Sequence, residues 1–321
     1  VTDRCAVIEL YAVSKGVVVR AKKRSTRREF LASQAATWAA AAWSMHGSAR
    51  SSATEPNAEP DTEPCAEPGT DTDRAASSDE MLEKGRTAAT LGRKFLVGLF
   101  DPAVDLLPEY RGANVYWLYH DNYLAAKVLA PHDQALVDRI AASIRKRGVT
   151  KSGKIEILFD ESPQGFPFRQ YELTEVQRVG ERVIKTEVVT GEPFKGWREY
   201  TDLLLMAAIF KAKDGRDLDG AKQDFAAALE TWDGRGLKDQ VTKKTGLYAT
   251  YKLALALVAA ARLKVRPDVG DAIYRTLLTQ QADDGGWITD YDARGQRVGL
   301  ANVETTSLAV LAIERWQAAA S

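Results

Sequence analysis

Tyr119, His120 and Asp121 stand in a row at the start of an apolar run, placing a carboxyl and an imidazole beside a flat ring. Neighbouring titratable groups that shift each other's pKa are the raw material of a proton donor. The same mixture of acids and rings recurs at Trp197, Tyr200 and Asp202, at Tyr251, at Tyr291 and Asp292, and at Glu304. Flat rings stack on the C–H faces of sugars, and paired carboxyls serve as proton donor and as base or nucleophile at a glycosidic bond. Asp121, Asp202 and Glu304 are therefore the candidate catalytic acids. Tyr119, His120, Trp197, Tyr200, Tyr251, Tyr291 and Asp292 are the candidate substrate-binding residues. Each also has an ordinary structural reading, since Asp caps helices and Tyr or Trp at helical spacing fills cores.

An internal repeat supplies the elements that must position these groups. Helix starts superimpose at Asp121, Thr201, Thr250 and Thr305, with separations of 80, 49 and 55 residues by position number. A period of that size suits two helices and their loops. The long first interval holds three segments of alternating apolar and polar residues, Lys154–Asp160, Phe168–Leu173 and Val183–Val189. That two-residue period predicts a small antiparallel β insertion over about 153–190. Removing roughly 35 residues brings the first interval into line with the others. Leu253–Ala260 is apolar nearly all round, the mark of a helix buried on every side, whereas Gln134–Arg145 and Ala221–Glu230 are amphipathic and suit an outer layer. With a first helix near Ser78–Val97, about eight helices result, paired as four hairpins.

Between the last two helices lies Gln281-Ala282-Asp283-Asp284-Gly285-Gly286-Trp287, and a degenerate copy, Asp233–Asp239, precedes the previous inner helix. Asp-Gly-Gly demands a tight turn, Gln281 can reach backbone groups left over at a helix end, and Trp287 can plug the junction. The Gln-x-x-Asp-Gly-x-Trp run, with Asn302–Ala309 after it, resembles the turn and inner-helix start of the terpenoid-cyclase and protein-prenyltransferase-like α/α toroids. The resemblance implies an all-α dominated, α/α toroid-like array of helical hairpins around a central cavity, here carrying a β insertion. In such an array the inner-helix N-termini converge on one mouth, which would gather the candidate residues there together with their helix dipoles. It does not name a reaction, because one fold hosts many.

Absences narrow the chemistry. Cys5 and Cys65 both precede the 78–321 domain, so the Cys-containing zinc site of the prenyltransferases and the thioester of related domains have no cysteine to use. No Asp-x-Asp-Asp acid motif occurs, and Asp214–Asp219 reads as a loop with capping acids. No metal or other cofactor motif is visible. Basic and acidic residues balance at 44 each, which gives no footprint for a nucleic-acid partner. Two functions remain: an enzyme that acts on a glycan by acid/base hydrolysis or elimination, and a non-catalytic toroid that binds a polymer, lipid or protein partner.

The N-terminal region addresses the chain. Thr26-Arg27-Arg28-Glu29-Phe30-Leu31 matches the twin-arginine export pattern and is followed by an Ala-rich run to Trp43, too short to span a membrane. Residues 1–49 are read as the signal region, with cleavage after Ala49, and the expected location is periplasmic or otherwise outside the cytoplasm. Without cleavage the protein stays tethered to the membrane. The partner implied is a transient contact with the twin-arginine translocase. Residues 50–77 carry Glu-Pro at 55, 59, 63 and 67, a period that suits a solvated, semi-stiff linker. Replacing Arg27 and Arg28 together by Lys should retain the protein in the cytoplasm, because Lys lacks the planar fork of Arg. Cell fractionation reads this, and equal export of both versions would reduce the pair to part of a basic tail.

Overall fold

Helices buried on every side need an outer layer, and the chain supplies one by alternation. The protein is seen in a computed structural model that describes residues 8–14, 17–23, 71–149, 155–161, 169–213 and 216–319. The twin-arginine pattern, the expected cleavage site and the Glu-Pro repeats lie outside these residues. The chain divides into two units, Val1–Ser48 and Ala49–Ser321. In the first, β1 (Ile8–Ser14) pairs antiparallel with β2 (Val17–Lys23), from Ile8 opposite Lys23 to Ser14 opposite Val17.

In the second unit helix dominates, as the sequence led us to expect. An outer helix α1 (Asp71–Gly98) begins inside the stretch read as linker. The short strand β3 (Val115–Trp117) leads into a π-helical turn, Leu118–Tyr123, and then α2 (Leu124–Leu129) and α3 (Gln134–Lys146). After β4 (Arg169–Val179) and β5 (Arg182–Pro193) come α4 (Thr201–Lys211), α5 (Leu218–Leu229), α6 (Gln240–Thr245), β6 (Tyr248–Ala249), α7 (Thr250–Leu263), α8 (Gly270–Thr279), β7 (Ile288–Tyr291), β8 (Arg297–Ala301) and α9 (Val303–Ala318). The four expected inner-helix starts thus fall at the π turn, α4, α7 and α9. Thr250–Ala260 of α7 is buried without a break, so no face of it meets water. It packs against α9, α4, α5 and α8, while α9 also packs on α1 and α2.

Two of the three expected strands exist, as the β4–β5 hairpin, with β3 added parallel to β5 to give the order β3-β5-β4. The third expectation is corrected: Ile155–Phe159 is a 3-10 turn. Its alternation misled because Glu156 is buried along with Ile155, Ile157 and Leu158, so no polar face exists. A second small sheet, β6-β7-β8, carried no recognised signal.

That 3-10 turn sits where the inner helices end. Lys127 near the end of α2 pairs with Glu161, and Lys213 just past α4 donates to the carbonyl of Asp160 at 2.8 Å. Arg262 near the end of α7 pairs with the Asp160 carboxylate, and Arg315 near the end of α9 donates to the carbonyl of Leu158 at 2.8 Å. Four basic side chains from four helix ends therefore hold one short segment, each placed favourably for its helix dipole.

The repeat is also visible in the turns that follow three outer helices. Asp101, Asp233 and Asp284 each accept, through Oδ1, the backbone N–H two residues on. Each turn is closed by one isolated bridge, Asp101 with Leu106, Trp232 with Leu237 and Gln281 with Trp287, and the last residue of each bridge is buried. In the third turn Gly285 has φ of +92°, and a Cβ there would lie 2.6 Å from the carbonyl oxygen of Leu91. Gln281 donates to the carbonyls of Ala88 and Gly285 at 2.8 Å each. Trp287 donates its indole N–H to Leu277 of α8 at 2.8 Å and its backbone N–H to Thr306 of α9 at 2.9 Å. Its ring fits against α1 only because residue 92 is glycine, since a Cβ there would stand 2.7 Å from Cζ3. One residue thus joins three helices. Trp287→Ala should lower stability by about 3–5 kcal/mol, as other large-to-small core changes do. Denaturant melts of the two proteins read this directly, and an unchanged midpoint would remove Trp287 from the core.

Candidate functional site

The π turn carries the first candidate acid inward. π-Helical turns widen a helix locally and are frequent at functional sites. Here the turn faces Asn122 and Asp121 into the protein, and both are buried. Asn122 accepts the N–H of Leu107 at 2.7 Å and donates to the carbonyls of Leu107 and Trp117 at 3.0 and 2.8 Å. That clamp fixes the irregular segment after Leu107, whose Glu109 donates its N–H to Val115 and accepts the N–H of Val303. Glu109 is thereby threaded between β3 and the first turn of α9, where Glu304 lies.

Burial, first, and then the negative charges of Glu109, Glu304 and Glu187 hold the Asp121 carboxyl well above the ordinary carboxylate range. Asp121 is only 2% exposed, and its Oδ2 meets no hydrogen-bond partner among the described residues. Burial pushes Glu109 up to about 7, with the Trp117 indole and the Lys185 ammonium pulling the other way. Pairing of β3 with β5 sets Trp117 opposite Lys185, and two or three residues further along each chain His120 Nδ1 meets Glu187. Two neighbouring acids, both held above the ordinary carboxylate range, form the arrangement from which proton donors are built.

A second group adjoins the first. Tyr251, in the first turn of α7, donates to Asp202, in the first turn of α4, at 3.3 Å. Its phenol is pushed well up by burial and by the charges of Asp202, Asp239, Glu304 and Asp290. Glu304 therefore acts on both Asp121 and Tyr251, so Asp121, Asp202, Tyr251 and Glu304 occupy one end of the inner helices. Tyr200, whose phenol is raised by burial and then by Glu199, Asp239 and Asp202, belongs to the same end. Burial also raises Asp290, against Thr289 and Lys252. Beneath them Lys252 and Asp239 form a buried pair at 2.6 Å, and Asp239 also accepts the N–H of Thr201 at 3.1 Å.

Other candidate residues go elsewhere. Tyr119 donates to the carbonyl of Val149 at 3.2 Å, and burial and Glu156 push its phenol up to about 12, so it faces the 3-10 turn. Tyr291 stacks on Tyr248 at 5.4 Å and donates to the carbonyl of Arg235, which turns it toward the degenerate turn. Asp292 accepts the N–H groups of Arg294 and Gln296 and shapes the loop between β7 and β8. Each of these three side chains thus bonds a backbone group away from Asp121. Trp197, half-exposed, has the Arg198 guanidinium 4.7 Å from its ring. Glu109, Glu187, Asp239 and Lys252 were not singled out in the sequence. Glu109 sits in an irregular segment, and Glu187 occupies an unremarkable place in an alternating strand.

Among the described residues no group of His, Cys, Asp and Glu is arranged to hold a metal ion. A groove of about 680 Å³ between α1 and α8, lined by Met81, Thr87, Leu91, Leu278 and Gln281 among others, includes none of the clustered acids. Comparison with known protein families, with curated proteins and with solved structures found no match to this chain.

The raised carboxyls fix the sign of the pH dependence. Folded Glu109 keeps its proton up to about 7 while the unfolded group ionises from 4.5. Between those values the folded state binds more protons than the unfolded one, so stability falls as pH rises. A shift of that size corresponds to about 3 kcal/mol, and buried Asp121 acts in the same direction. Melts taken from about pH 5 to about pH 8 should show the loss, and Glu109→Gln should flatten it. A wild-type profile that rises over the same range would contradict the buried, neutral carboxyls.

Proposed function

We propose that this protein is an exported α/α toroid that acts on a glycan at the clustered acids, with Asp121 as proton donor and Glu304 or Asp202 as the facing carboxylate. What supports the reading is that Glu304 acts on both Asp121 and Tyr251, that Tyr251 donates to Asp202, and that Oδ2 of Asp121 meets no hydrogen-bond partner among the described residues. A donor that keeps its proton near neutral pH can protonate a glycosidic oxygen, while an ionised carboxylate opposite activates water or removes a proton in an elimination. Tyr200, Tyr251 and Trp197 offer rings to sugar faces, and His120 holds its place beside Glu187. The toroid reading draws on the parallel inner helices and the repeated turn. Export rests on the arginine pair, with the translocase as a transient partner.

The deep burial of Asp121 favours a second reading, a non-catalytic scaffold or binding module for a polymer, lipid or protein. Asp121→Asn separates the two. It copies the shape of the neutral acid, so the variant should melt at or above the wild-type temperature at neutral pH. On the enzymatic reading it loses turnover of a glycan identified by array screening, by on the order of a hundredfold or more. Unchanged turnover and binding would leave Asp121 as a structural acid and favour the scaffold.

A further inference from the structure

The groove between the outer helices α1 and α8 is apolar at one end and charged at the other. Positions 81, 84, 88 and 91 of α1 follow one another along it at helical spacing, and Leu278 of α8 faces them. Leu91 stays 40% exposed there. The two walls run in register. Tyr274 abuts Gly85 so closely that a Cβ would find no room, Gln281 reaches the carbonyl of Ala88, and Gly285 touches the backbone of Leu91. Arg275, next to Tyr274, is therefore level with Lys84, while Leu278 lies toward Ala88 and Leu91.

Charge at the Lys84 end is only partly spoken for. Lys84 and Arg275 make no ion pair or hydrogen bond among the described residues. Of the acids beside them, Glu83 is engaged by Arg86 at 2.6 Å, and Glu80 stands one helical turn further from the apolar end. Two free cations thus face one free acid. The occupant must match both halves and the size. A volume of about 680 Å³ is that of a small-molecule site. A helix about 10 Å across and as long as the stretch from Glu80 to Leu91 would need roughly 1,300 Å³, so a partner helix would stand largely outside the groove.

We propose that this groove binds a single-chain fatty carboxylate, with its head between Lys84 and Arg275 and its alkyl chain along Leu278, Ala88 and Leu91. A guanidinium fork matches a carboxylate, and the ammonium adds a point charge. Seven residues of helix separate Lys84 from Leu91, a distance of about 10 Å. About eight extended methylenes span it, at roughly 1.25 Å each from C–C bonds near 1.5 Å. The site shares no residue with the clustered acids, goes beyond the glycan reading and does not depend on it.

The test is titration of the full chain, below micelle formation, with carboxylates of six to fourteen carbons, with decyltrimethylammonium and with decanol. Affinity should rise about two- to fourfold per methylene up to about decanoate and then level off. Decyltrimethylammonium should bind at least about tenfold more weakly than decanoate. Lys84→Gln with Arg275→Gln, both at exposed positions, should bring decanoate down to the level of decanol, and Leu278→Asp should abolish binding of both. Should Leu278→Asp fail to fold, the chain-length series and the double variant still decide. Asp121→Asn should leave decanoate binding unchanged, so this proposal and the glycan reading fail separately. Binding without chain-length dependence, equal binding of the ammonium, or decanoate retained by a folded Leu278→Asp overturns the proposal. Binding only to phosphatidylglycerol vesicles overturns it in favour of a membrane-facing surface. Self-association that Leu278→Asp removes, with no amphiphile bound, overturns it in favour of an interface between copies of this chain.

Discussion

Helices that run side by side in one direction gather like ends. The starts of α4, α7 and α9 and the π turn before α2 meet around one cluster of acids, and all four ends meet at the 155–161 segment. Each helix presents roughly half a positive charge at its start and half a negative charge at its end, so such a bundle carries two sites of mutual repulsion. Both are answered in the sequence. Acids stand in the first turns, Asp202 and Glu304 among them, and Lys127, Lys213, Arg262 and Arg315 stand at or just past the last turns. The candidate site is thus also where the architecture requires negative charge, and the segment held at the other end completes the same requirement in reverse.

What exceeds that requirement is Asp121. A charged carboxylate at a helix start would be stabilised by the dipole, yet burial and the surrounding negative charge hold its carboxyl well above the ordinary carboxylate range. The Lys252–Asp239 pair shows the opposite solution to burial. Both partners are at most 2% exposed, and removing either one would leave a buried charge uncompensated. Because Asp239 also caps α6 and takes the first N–H of α4, the pair fixes three elements relative to one another. Among the described residues Asp121 pairs with no such cation, and its Oδ2 meets no hydrogen-bond partner.

The sequence disclosed these features unevenly, for physical reasons. Inner helices such as α7 are legible because burial on all sides removes polar residues from every position, a signal no other element imitates at that length. The turn at Gln281–Trp287 is legible because its glycines and its large ring answer to steric demands at fixed positions. The 155–159 segment misled, since Glu156 is buried along with its apolar neighbours and the alternation marks no exposed face. Glu109 and Glu187 were invisible as site residues because what brings them to Asp121 is tertiary: the three bonds of Asn122 and the pairing of β3 with β5. Tyr119, Tyr291 and Asp292 looked like lining residues by position, but each oxygen had a nearer backbone partner.

The outer helix α1 is secured from the far end of the chain. Gln281 reaches Ala88 across 193 positions and Gln317 reaches Leu82 across 235, while the ring of Trp287 rests on Gly92. These partners are made long after α1 itself, so α1 must wait for α8, the turn after it and α9 before it can be seated in this way. Contacts this distant in sequence carry a large loop-closure cost and slow the final step of folding. Until α9 is complete, the buried face of α1 and the side of α7 that α9 covers remain open to water. For that interval the nascent chain presents apolar surface that a chaperone can recognise.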